Sequence, residues 1–276
     1  MRDSNNKLRA KSVAALITSS ILFGVPLLST GCGSSPGTFM PDQSTRAESV
    51  EASRSQSYLA PGLYSVFDDK SRSVKSARIA PLHEQDLLAL INVLRQTGGE
   101  LSFGLIGESS DRPLLRLRIP VPPTRPAMRE AQNPFERAEQ DSAFQEELKK
   151  YETKHQRWEA EVNQRINAFM EAVRPRLQEP AKDKVTDVFS ALARAELFLN
   201  EPGVVWPAET HRYIILNSDG IDTAKLKPVE IKSGARLLLI NGSSSMGTLA
   251  SLHPLRFESK QAALDFIAAT ELGRNE

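Results

Sequence analysis

The chain has 276 residues, 40% of them hydrophobic and 25% charged, with a formal net charge of +1. These values suit a soluble α/β domain with additional segments, and a charge so close to zero excludes a global field directed at nucleic acid or an acidic substrate. The single cysteine, Cys32, excludes a disulfide between residues of this sequence, and His83, His155, His211 and His253 show no metal-ligand spacing.

The first 31 residues read as an export signal. Arg2, Lys7, Arg9 and Lys11 form a basic head ahead of the apolar run "SVAALITSSILFGVPLL", which Pro26 and the small residues "STGC" terminate. The stretch "LLSTGC" resembles a bacterial lipoprotein signal, although Leu28 stands four residues before the cysteine and Ser29 three before it. The resemblance implies lipidation of Cys32, a membrane anchor and an address in the bacterial envelope. Gly33, in place of the aspartate associated with inner-membrane retention, favours the outer membrane if the host has two. An uncleaved anchor or an ordinary signal peptide is the alternative. Residues 32–57, rich in Ser, Gly and Pro, read as a flexible tether.

The folded region is expected over residues 58–272. "GLYSVF" is a short strand, and "EQDLLALINVLRQTGG" is a helix with Leu87, Leu90, Ile91 and Leu94 on one face and a Gly98-Gly99 stop. "LSFGLIGE" and "LLRLRIPV" read as a hairpin across "SSDRP". "TDVFSALARAELFL" is a helix with Thr186 near its start. "RYIILNSDG" and "ARLLLING" look like strands buried on both faces, and "KQAALDFIAATEL" is a closing helix. The alternation predicts a doubly wound, mostly parallel open α/β sheet with one antiparallel edge strand.

Residues 125–180 interrupt that rhythm. Phe144, Leu148, Tyr151, His155, Trp158 and Val162 recur at spacings of four and three, and Ile166, Phe169 and Val173 continue the stripe. The spacing predicts one long amphipathic helix, with Glu146–Lys150 and Glu161–Arg165 as pairs on its wet face. Such a helix either packs on its own domain or projects to meet another helix as a coiled coil.

Three polar motifs fall at the carboxyl ends of predicted strands, where open α/β sheets bind ligands. "DKSRS" follows the first strand, "TD" (Thr186-Asp187) opens a helix, and "DG" (Asp219-Gly220) follows "RYIIL". Asp69, Ser71, Ser73, Thr186 and Asp219 are all oxygen donors, the set that suits a small hard cation. Alone, each motif has a plainer reading as a turn or a helix cap. In this order, the three resemble the von Willebrand factor A domain family in its form with a metal-ion-dependent adhesion site. The resemblance covers about residues 61–270 apart from the insert. It implies Mg²⁺ (or Mn²⁺) held by the hydroxyls of Ser71, Ser73 and Thr186, with Asp69 and Asp219 acting directly or through water.

Three features depart from the family pattern. Asp68 stands where the family has an apolar strand residue, Lys70 and Arg72 bring positive charge into the first loop, and the helical insert replaces a short connection. Alternate residues of the loop face opposite ways, so both cations are expected to point to solvent. The functional expectation is a metal-dependent protein–protein interaction module, membrane-anchored through Cys32, whose partner supplies an Asp or Glu carboxylate to the ion. Neither nucleic acid nor a small-molecule substrate is expected. A structural lipoprotein acting through its long helix is the alternative. A metal-assisted hydrolase fits less well, because no general base, P-loop, G-x-S-x-G or second acidic cluster stands out.

Overall fold

A computed structural model describes residues 59–273, apart from 109, 111, 129–133, 203, 225, 226 and 243–245. The export-signal reading of residues 1–31 and the whole of the tether, with Cys32, lie outside the described residues. The described elements in chain order are β1 (Gly62–Asp69), α1 (Arg72–Ser76), α2 (Glu84–Thr97), β2 (Gly99–Ile106), β3 (Leu115–Ile119), α3 (Pro134–Leu177), α4 (Val188–Leu199), β4 (His211–Asn217), β5 (Arg236–Ile240), β6 (Leu255–Phe257) and α5 (Lys260–Glu271), with a 3₁₀ turn at Gly247–Leu252.

The strands form one sheet in the order β3-β2-β1-β4-β5-β6. Every pairing is parallel except β2 with β3. From β1 the chain winds outward to β2 and β3, then returns to lay β4, β5 and β6 on the opposite side. The order of winding therefore reverses between β1 and β4, and this reversal leaves a crevice at their carboxyl ends.

Alternation along the strands sorts the core into two layers. Tyr64, Val66, Leu101, Phe103, Tyr213, Ile215, Leu238 and Ile240 face α2, α5 and the end of α3. Leu63, Phe67, Ile106, Ile214, Leu216, Leu237 and Leu239 face α4 and the 3₁₀ turn. All eight residues of β1 are buried, as the central position of the strand in a sheet covered on both faces requires. Two details differ from expectation. β1 runs two residues further, through Asp69, because its ladders with β2 and β4 continue past Phe67. β6, three residues long, extends the sheet beyond β5.

The 44-residue helix α3 would span roughly 66 Å. Its packing is divided. Val162, Ile166, Phe169, Met170, Val173 and Leu177 are buried in the first core layer with Trp158 at its margin, whereas no described side chain of the helix before Val162 is buried. The buried portion also shields the edge segment around β3. Trp158 Nε1 donates to the Pro120 carbonyl at 2.9 Å, Arg165 to Arg118 O at 3.1 Å, and Arg176 to Pro113 O at 2.8 Å. Side-chain donors thus occupy edge carbonyls that would otherwise be open to another strand.

Candidate metal centre

Asp69 is the last residue of β1, and Ser71 begins the turn into α1. Asp69 is 2% exposed. Its Oδ1 accepts the Ser71 backbone N–H at 2.8 Å, and its Oδ2 accepts the Ser218 hydroxyl at 2.5 Å. Ser71 Oγ lies 2.9 Å from Ser73 Oγ. The spacing of the motif produces this convergence: the strand ends at Asp69, and the first turn of α1 lifts Ser73 back beside Ser71.

Asp219 follows β4 by two residues and is buried, with Oδ1 accepting the Ile221 N–H at 3.0 Å. Burial pushes the Asp69 carboxyl up to about 6; hydrogen bonds from Ser218 and Ser71 oppose that rise, and the Asp219 charge adds to it. The two carboxylates therefore feel one another across the crevice between β1 and β4.

Thr186 is buried immediately before α4, whose N-cap, Asp187, accepts the Ser190 N–H at 3.0 Å. Backbone hydrogen bonds join its segment to both neighbours. Upstream, Lys182 and Asp183 donate to the Lys70 carbonyl at 2.9 and 3.1 Å, and Arg72 N–H donates to Asp183 O at 2.8 Å. Downstream, Thr223 and Ala224 donate to the Thr186 carbonyl, while Thr186 N–H donates to Thr223 Oγ1 at 2.8 Å. Segments 69–73, 182–187 and 218–224 are thus fastened to one another at the switch point, and they carry all five residues singled out in the sequence.

Two contributors were not singled out. Ser218 bonds Asp69 and accepts the Gly220 N–H at 3.1 Å. Its only sequence signal is its place in "NSDG". Asp183 accepts the Glu108 N–H at 3.0 Å, and a Cβ at Gly107 would lie 2.0 Å from Asp183 Oδ2. A side chain just past the end of β2 would therefore have to displace the Asp183 carboxylate.

The expectation for Lys70 needs correction. Arg72 is exposed, with Nε donating to Lys182 O at 3.0 Å, but Lys70 is buried. Its Nζ lies 2.8 Å from Asp68 Oδ2 and donates to the Leu177 carbonyl at 3.0 Å. Alternation does turn Lys70 away from Asp69, yet the side it turns to is occupied by Asp68 and roofed by the end of α3. The two departures from the family pattern, Asp68 and Lys70, neutralise each other. Asp68 Oδ1 also accepts Asn217 Nδ2 at 2.7 Å and Leu82 N–H at 3.2 Å.

Among the described residues, no three His, Cys, Asp or Glu side chains group as a metal site. The donors at the switch point are two carboxylates supplemented by hydroxyls. No protein-family model and no curated protein matches the chain. Solved structures similar in backbone path at low identity include the following two. The manganese-loaded TRAP protein of Plasmodium vivax matches over 76% of this chain and 72% of its own, at 16% identity and a TM-score of 0.40. The pilus adhesin SpaC of Lactobacillus rhamnosus GG, in an open conformation, matches over 79% of this chain at 12% identity and a TM-score of 0.35; the match spans 31% of that adhesin.

Proposed function

We propose that this chain is a metal-dependent protein-interaction module of the von Willebrand factor A type, tethered to a bacterial envelope membrane through Cys32. Asp69, Ser71, Ser73, Thr186 and Asp219 would hold Mg²⁺ or Mn²⁺, and a partner Asp or Glu would complete the coordination. The observation that carries this reading is the meeting of Asp69, Ser71, Ser73 and Asp219 at the switch point, with Thr186 fastened beside them. The donors fit such an ion, being exclusively hard oxygens. A cation there would also relieve the burial and mutual repulsion that raise Asp69. The bound ion would supply a Lewis-acidic position for a carboxylate, and the function is binding without turnover.

The test is a calorimetric titration of Mg²⁺ and Mn²⁺ into the full-length protein and into an Asp69→Ala, Ser71→Ala variant. One ion bound by the wild type and none by a variant with unchanged circular dichroism supports the proposal. Equal absence of binding in both removes the metal mechanism.

A further inference from the structure

We propose that the cleft between the end of α1 and the carboxyl ends of β5 and β6 is a second anion subsite, which receives another carboxylate of the acidic partner segment whose first carboxylate meets the metal. This rests on the metal-dependent reading above. The cleft has a volume of about 600 Å³, and its walls include Arg78, Asn241, Gly242, Arg256 and Glu258. Among the described residues neither arginine is ion-paired with a carboxylate. Arg256 Nη2 donates to the Gly242 carbonyl at 2.7 Å, which holds the guanidinium at the wall. Among the described residues that line the cleft Glu258 is the one acid, against two arginines, so positive charge predominates there.

The backbone marks the same place. Three described non-glycine residues have positive φ, and two of them, Arg78 (φ 58) and Asn241 (φ 60), line this cleft. Asparagine tolerates the left-handed region, but arginine has no short polar side chain to compensate. A strained arginine presented beside a second arginine is an arrangement that local folding alone does not favour.

Both covalent and hydrogen-bonded links run from the cleft to the candidate metal loop. Asn241 Nδ2 donates to Asn217 Oδ1 at 3.1 Å, and Asn217 Nδ2 donates to Asp68 Oδ1 at 2.7 Å, next to Asp69. α1, which starts one residue after Ser71 and ends two before Arg78, has five residues and spans about 7–8 Å. Alternate side chains on one face of an extended peptide are separated by roughly 7 Å. An acidic segment with carboxylates repeated along one face can present one to each place.

The test is fluorescence anisotropy with a labelled peptide of alternating glutamate and glycine, titrated with full-length protein in Mg²⁺, beside a glutamine–glycine control peptide. Arg78→Asn, which suits the left-handed backbone, is combined with Arg256→Gln; a Lys149→Gln, Lys154→Gln variant removes the same charge from α3. Expected are preference for the glutamate peptide, about tenfold weaker binding by the arginine variant with unchanged Mn²⁺ affinity, and no comparable loss in the lysine variant. Equal losses in both variants, or wild-type affinity in the arginine variant, or no wild-type binding, overturn the subsite. Ser71→Ala separates the two proposals. If it removes Mn²⁺ binding and weakens the peptide, both stand. If peptide binding needs the arginines but neither Ser71 nor the metal, the subsite survives and the metal reading fails.

Discussion

Lys70 Nζ sits 2.8 Å from Asp68 Oδ2, with both side chains withdrawn from solvent at the end of the central strand. Lys70→Met would leave the Asp68 charge buried without its counter-charge, at a cost of about 3–5 kcal/mol. Asp68→Asn added to Lys70→Met keeps an acceptor for Leu82 and Asn217 while removing the orphaned charge, so most of that loss should return. Urea denaturation of the three proteins checks this; a double variant as unstable as the single one would refute it.

The Asp69 carboxyl is raised from 3.8 to about 6, chiefly by burial, so the folded, metal-free chain holds this proton more tightly than the unfolded chain does. By linkage, the contribution of Asp69 favours folding below about pH 4 and is lost as pH rises through 6. Asp69→Asn should therefore stabilise the metal-free protein at pH 7.5 by about 2–3 kcal/mol and leave it unchanged near pH 4. It should also abolish Mg²⁺ binding. Denaturation in the presence of chelator at the two pH values measures the first effect, and equal differences at both would contradict it.

A Cβ at Gly107 would press against Asp183, whose segment bonds to the Lys70 carbonyl. Gly107→Ala is expected to cost about 1–3 kcal/mol and to weaken Mn²⁺ binding by displacing the loop that leads to Thr186. In an Asp183→Ala background the same substitution should cost much less, because the clashing group is gone. A double-mutant cycle on thermal stability reads the difference; strict additivity would mean the contact is unimportant.

Helix α3 makes opposite predictions for its two portions. Phe169→Ala removes a ring from the core and should destabilise the protein by about 3–5 kcal/mol. Tyr151 is only half-buried and meets His155 at a tilt of 41°, with ring centroids 5.4 Å apart. Tyr151→Ala should change stability by no more than about 0.5 kcal/mol. If thermal melts show similar losses for both, the packing division at Val162 is misplaced.

The sequence alone determined the features that repeat locally. Continuous apolar runs marked β4 and β5 as strands covered on both faces, a short apolar stretch marked β1, the spacing of three and four marked α3, and "DKSRS", "TD" and "DG" marked the three segments that meet between β1 and β4. Tertiary structure decided what depends on distant partners. β6 has only three residues and too little pattern to be seen without β5 beside it. The stripe on α3 looks continuous from Phe144 to Val173, but which part is buried depends on where the sheet ends, and that follows from the strand order. Ser218 and Gly107 acquire their roles from Asp69 and Asp183, 149 and 76 residues away in the chain. Lys70 illustrates the division most clearly. The period of two correctly turned it away from Asp69, but the Leu177 carbonyl that roofs it lies 107 residues downstream. Periodicity specifies a side chain's direction, whereas the groups found in that direction are specified only when the chain returns.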